Sequence, residues 1–205
     1  WEFIELTNIS AGPVDLTGVQ FSAGIAYAFV PGTVLPAGQR LVLAADSVAF
    51  ATKFPAVTLA GVYTGRLDNS GEEIALTSAS GGDIRRFSYN DKLPWPSTAD
   101  GTGHSMVLVA PETAPDHANP LNWRASVLPG GSPGGSDALP FAGSPGADSD
   151  GDGFTDLYNY TFPRATPLAS LAGGQVQLTL RAGADAARVI VESSTDLGTW
   201  TPLPV

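Results

Sequence analysis

The chain contains no cysteine. That absence removes disulfides, thiolate nucleophiles and cysteine-based zinc sites together. No apolar run approaches the ~18 residues a membrane-spanning helix needs, so no membrane insertion is expected. Positive charge is scarce, with 10 Lys and Arg against 20 Asp and Glu, a net charge of −10 and a pI near 4.4. Such a field repels phosphate backbones and anionic lipid, which argues against nucleic acid as a partner. No basic-then-apolar segment opens the sequence as given. The chain opens on Trp1-Glu2-Phe3-Ile4-Glu5-Leu6, already alternating like a strand, and closes on Trp200-Thr201-Pro202-Leu203-Pro204-Val205 just after a strand-like stretch. Both ends are expected to be cut from something longer.

What is abundant is turn chemistry. The 24 Gly and 17 Pro make up about a fifth of the residues, while apolar content is ordinary at 43%. Short alternating stretches separated by turn signals predict strands at Glu2–Thr7, Val14–Ser22, Ala26–Val30, Arg40–Ala45, Asp83–Tyr89 and Ser105–Val109, with a further one closing Leu67–Leu76. One helix is expected over Ser47–Phe54, where Asp46 caps the start, Phe50 and Phe54 share a face, and Pro55 stops the run. Gly12, Gly18, Gly38 and Gly71 stand where reversing chains often need a positive φ. Asp15, Asp68 and Asn69 read as turn formers bonded to their own backbone. Trp123 is a candidate late core anchor. Alternation rather than continuous apolar runs points to an all-β, antiparallel sandwich for residues 1–135.

From Pro129 to Ala147 the sequence is Gly, Pro, Ser and Ala with little else, which predicts an irregular wrap or a linker, the linker proper spanning 136–147. Asp148-Ser149-Asp150-Gly151-Asp152-Gly153-Phe154-Thr155-Asp156 follows. Hard calcium takes six to eight oxygens, and Asp148, Asp150 and Asp152 at alternate loop positions supply them from one tight turn. Gly153 permits the bend, Phe154 offers its backbone carbonyl, and Asp156 binds directly or through water. Asn159 stands where an EF-hand places a bidentate Glu, so affinity should fall towards the millimolar range of extracellular sites. The alternative is an acidic, flexible linker. Within 160–205, Gln175–Arg181 and Ala187–Glu192 alternate again and Thr199-Trp200-Thr201 closes a partial C-terminal β module with too few strands to hold a core alone.

Several segments together resemble the lamin tail domain, an immunoglobulin-like β-sandwich. Glu2-Phe3-Ile4-Glu5-Leu6-Thr7-Asn8 with Pro13-Val14-Asp15-Leu16-Thr17-Gly18 is similar to the family's opening strand, turn and second strand. Leu35-Pro36-Ala37-Gly38-Gln39 and Leu67-Asp68-Asn69-Ser70-Gly71-Glu72 resemble two of its turns. Tyr89 through Trp95-Pro96, Asp100-Gly101-Thr102-Gly103-His104-Ser105, Asn119-Pro120-Leu121-Asn122-Trp123-Arg124 and Gly130-Gly131-Ser132-Pro133-Gly134 resemble its bacterial branch, extending the likeness to residue 135. The 148–159 loop resembles thrombospondin type 3 and dockerin calcium loops, and Val191–Trp200 resembles C-terminal modules of large bacterial surface proteins. The family resemblance implies structural or adhesive work without an active site.

Catalytic constellations are thin. His104 and Ser105 are sequence neighbours, which in a strand point to opposite faces, and Glu72 and Glu73 fail as a glycosidase pair for the same reason. His117 sits in a polar loop. Trp95, Trp123, Tyr27, Tyr63 and Tyr89 would make a sugar-binding platform if exposed and core packing if buried. The expectation is a secreted or cell-surface, non-catalytic module with a calcium-stiffened joint, partnered by other modules or copies of itself through strand addition. The alternative is an accessory tethering or carbohydrate-binding domain of a secreted hydrolase, with polysaccharide as ligand.

Overall fold

Alternation in the first strand, β1 (Phe3–Thr7), splits its side chains between two environments: Ile4 and Leu6 pack into the main core, Phe3 into a second, smaller one. The computed structural model describes residues 2–99, 101–138, 141–161, 168–172, 175–179, 192–195 and 198–202. They fall into two compact units, 1–137 and 138–205.

In the first unit β1 is followed by β2 (Val14–Asp15), β3 (Gln20–Ala23), β4 (Ile25–Ala28), β5 (Val34–Leu35), β6 (Arg40–Ala44), helix α1 (Ser47–Lys53), β7 (Gly61–Val62), β8 (Thr64–Gly65), β9 (Glu73–Thr77), β10 (Asp83–Ser88), β11 (Met106–Leu108) and β12 (Trp123–Ala125). One sheet runs β1-β6-β7, the other β10-β9-β3-β4-β8, and β2-β5 and β11-β12 form separate pairs. Phe21, Ile25, Ile74 and Leu76 of the larger sheet share one core with Ile4, Leu6, Leu41 and Leu43 of the smaller. The predicted antiparallel sandwich is therefore present, apart from the parallel pairing of β6 with β7.

Strand β6 is apolar on both faces for a reason the fold supplies. Leu41 and Leu43 enter the main core, while Val42 and Ala44 lie with Phe50 of α1 in the second one. The helix is thus a lid on the outer face of the small sheet. Its start follows the sequence expectation, since the Asp46 carboxylate accepts the amides of Val48 (2.9 Å) and Ala49 (3.0 Å). Asp46→Ala should cost ~1 kcal/mol in urea denaturation, with Asp46→Ser recovering most of it. Equal stability of all three chains would show that the cap contributes nothing.

Some expectations need correction. Val14–Ser22 is not one strand: the amide of Val19 turns back to the Leu16 carbonyl (3.0 Å) and Gly18 has φ 75°, so β2 and β3 serve different sheets. Gly38 and Gly71 also have positive φ, but Gly12 does not need it.

The Gly-rich stretch after β12 behaves as a wrap up to the boundary at Asp137. Gly131 has φ 73°, and a methyl there would lie 3.1 Å from Ser105 Cβ and 3.3 Å from Phe3 Cζ. Pro133 is buried, and the amide of Gly134 donates to Glu5 Oε2 (2.6 Å). Close approach of backbone to side chain, rather than flexibility, accounts for glycine here.

The second unit contains α2 (Asp156–Thr161), β13 (Leu168–Ala172) paired with β14 (Gln175–Thr179), and β15 (Glu192–Ser193) paired with β16 (Thr201–Pro202). Its Phe141 and Tyr160 rings meet at 5.2 Å. Of the strand expected over Ala187–Glu192, residues 187–191 lie outside the described residues, as do 180–181 of the stretch expected at Gln175–Arg181.

Candidate metal centre

Asp148 organises the acidic loop from inside. Its Oδ1 accepts the amides of Gly151 (2.8 Å) and Asp152 (3.1 Å), and its Oδ2 the amide of Gly153 (3.0 Å). Three amides aimed at one carboxylate close the loop, helped by positive φ at Gly151 and Gly153. The closure brings carboxylate oxygens of Asp148, Asp150 and Asp152 within 4.8 Å of one another, all three residues being exposed. Like charges at that separation repel, and oxygen-only donors of this kind suit a hard cation.

The other predicted ligands are placed differently from one another. The Asn159 amide turns into the loop, donating to Asp152 Oδ2 (3.1 Å) and lying 3.4 Å from Asp150 Oδ2. Asp156 is instead held by Ser149, accepting its amide (2.8 Å) and its hydroxyl (2.7 Å), and these bonds lower its carboxyl below the usual range. It does not join the three-carboxylate group. Phe154 donates its amide to Asp152 Oδ1 (2.8 Å), while its exposed ring stacks on Tyr158 at 4.6 Å. Sequence reasoning missed Ser149 as a competitor for Asp156, because a serine between two ligand positions and seven residues from its partner carries no signal of its own.

The side chains of His104, Glu72 and Glu73 are engaged in structural bonds, and Ser105 is held through its backbone amide. His104 Nδ1 sits 2.7 Å from the Ser126 carbonyl, and the Ser105 amide donates to Ser126 Oγ (3.0 Å). Glu72 accepts the Asp68 amide (2.8 Å), whereas Glu73 pairs with Arg86. His117 lies against Phe87 (5.3 Å) and Trp123 (5.9 Å), with Nδ1 2.8 Å from the Pro115 carbonyl. Burial holds its imidazole below the ordinary value, so this residue's contribution to stability is lost as pH falls through the histidine range. Asp15 and Asp68 act as turn formers, accepting amide and hydroxyl from Thr17 and Ser70, and these bonds lower both carboxyls.

The aromatic platform does not form from the five rings considered. Trp95 and Tyr63 are buried at 7% and 2% exposure. Trp123 stacks on Phe87 at 5.5 Å and donates its Nε1 hydrogen to the His117 carbonyl (2.9 Å). Tyr27 packs edge-on to Phe29 at 5.0 Å, and the Tyr89 hydroxyl donates to the Asp68 carbonyl (2.6 Å).

A polar centre that sequence reasoning missed lies at the end of the wrap. Arg124 and Asp137 form an ion pair with both side chains 7% exposed. Asp137 also accepts the amide of Val127 (3.0 Å) and the hydroxyl of Ser132 (2.9 Å). Nothing in a Gly/Ser-rich setting marks that aspartate as buried.

The Lamin Tail Domain family model matches residues 1–91. The matched span takes in both sheets of the sandwich and ends before β11. A comparison with curated proteins found no match.

Proposed function

We propose that this chain is a structural or adhesive module of a secreted bacterial surface protein or extracellular fibre. The observation that carries the reading is the lamin-tail match over residues 1–91, an immunoglobulin-like β-sandwich that suggests a non-catalytic structural module. The engagement of the His104, Glu72 and Glu73 side chains in backbone and ion-pair contacts supports the same side of the choice. Burial of Trp95 and Tyr63 weighs against the sugar-binding alternative. Labelling of intact and lysed source cells with antibody to residues 1–137 tests location. Signal only after lysis would defeat the surface reading.

Calcium is the proposed structural ion of the Asp148–Asn159 loop, where it would offset carboxylate repulsion and order the chain leading into α2. Millimolar calcium should raise the melting temperature of the second unit, and Asp150→Asn with Asp152→Asn should abolish the rise. An unchanged melt on adding calcium to the parent chain sinks this part.

The proposed partners are other modules or further copies of the chain. Strand addition would use an edge of the larger sheet, where β10 is long and exposed. That edge is guarded, because Arg85 donates to the Ile84 carbonyl (2.9 Å) and Arg86 pairs with Asp83 and Glu73. Sedimentation across a concentration series tests self-association directly; a monomer throughout excludes copies as partners.

A further inference from the structure

Asp137 is the last residue of the first unit, so a pull on the chain beyond it reaches the sandwich through that residue. Its carboxylate is tied backwards along the sequence. Oδ2 accepts the amide of Val127 (3.0 Å) and pairs with Arg124 of β12, while Oδ1 accepts the Ser132 hydroxyl (2.9 Å). Residues 127–137 are thereby closed into a loop whose ends are joined by a side chain. Stretched out, the same residues would span about 35 Å. The closing ties are short-ranged, since a hydrogen bond is lost once drawn out by less than about 1 Å.

The loop has little else to hold it. Its two large apolar side chains, Val127 and Leu128, are 38% and 67% exposed. The remaining anchors are polar: the Gly130 amide donates to the Gly103 carbonyl (2.6 Å), the Ser126 hydroxyl to the Leu128 carbonyl (2.8 Å) and the Gly134 amide to Glu5 (2.6 Å). The sandwich is held differently, by Phe21, Leu43, Ile74, Leu76 and their neighbours packed between two sheets. Both sheets are complete without any residue after Ser88. Opening the loop therefore uncovers little apolar surface, whereas opening the sandwich uncovers the whole core.

We propose that residues 127–137 form a tension latch, a length of chain folded away behind Asp137 that opens under load before the sandwich yields. Arg124 stays fixed in β12, which is paired with β11 from Met106↔Ala125 to Leu108↔Trp123, so the same partner waits for Asp137 when the load is removed. That the chain carries load rests on its reading as a structural module. The order of opening does not, so cell labelling and the pulling experiment fail separately.

Single molecules of the full chain are pulled between two thiol handles, a cysteine added ahead of Trp1 and Ala142→Cys. Absence of cysteine from the sequence makes both handles unique. A first extension of about 30 Å should precede a larger one in which the sandwich unfolds, and should return after relaxation. Inserting five Gly and Ser residues between Gly135 and Ser136 should lengthen the first step by about 17 Å and leave the force of the second unchanged. Asp137→Asn should abolish the first step or move it to lower force. Ser132→Ala, which removes one tie and spares the ion pair, should lower that force by less. A single rupture with no earlier step, a first step that the insertion does not lengthen, or one whose force neither substitution changes overturns the proposal.

Discussion

Asp137→Ala is expected to cost the first unit ~3–5 kcal/mol, the range for removing one partner of a buried ion pair. The substitution leaves Arg124 charged at 7% exposure, and it strips acceptors from the Val127 amide and the Ser132 hydroxyl at once. Those contacts anchor the end of the wrap whose Gly131 and Gly134 lie against Phe3, Val57 and Glu5, so loosening should spread to the outer face of β1. Chemical denaturation of the full chain gives the loss, and hydrogen exchange should rise across residues 127–137 first. Replacing both partners with apolar residues of similar size should recover much of the stability, because the cost lies in the stranded charge. A loss under ~1 kcal/mol for the single substitution would mean the pair is worth no more than a surface one.

Phe50→Ala should cost a comparable ~3–5 kcal/mol through the cavity it leaves. Phe50 is fully buried, edge-on to Phe3 at 5.9 Å and 5.0 Å from Phe54, over Val42 and Ala44 of β6. Without it α1 has no other buried residue to hold its seven residues down, and an isolated helix that short is not stable in water. Near-ultraviolet circular dichroism should lose aromatic signal alongside the drop in urea midpoint. Val48→Ala, on the exposed side of the same helix at 75% exposure, should stay within ~0.5 kcal/mol of the parent. Similar losses for both residues would contradict the lid.

Local chemistry made much of this molecule legible without coordinates. Period-two alternation identified β1 and β9, because a strand with one face in the core must place apolar residues at every second position. Asp46 ahead of Phe50 and Phe54, closed by Pro55, identified α1, since the cap, the apolar face and the stop all act within one or two turns. Asp15 and Asp68 were readable as turn formers because their partners, Thr17 and Ser70, lie two residues away. The acidic loop was recognisable from spacing alone, and its Asp148, Asp150 and Asp152 do lie together.

Tertiary structure decided whatever depends on partners distant in sequence. Whether Trp95 and Tyr63 were platform or core could not be settled by aromatic content; packing between elements buried them. The break between β2 and β3 follows from their membership of different sheets, which alternation cannot express. Asp137 looked like one more polar residue in a Gly/Ser stretch until the wrap carried it to Arg124, 13 residues away in sequence and inside the fold. Absence of cysteine, scarcity of positive charge and the density of turns bounded the chemistry from the outset, because each is a property of composition. Burial, ion pairing and the meeting of Glu2 with a turn 65 residues downstream are properties of the folded chain, set by which surfaces close on one another.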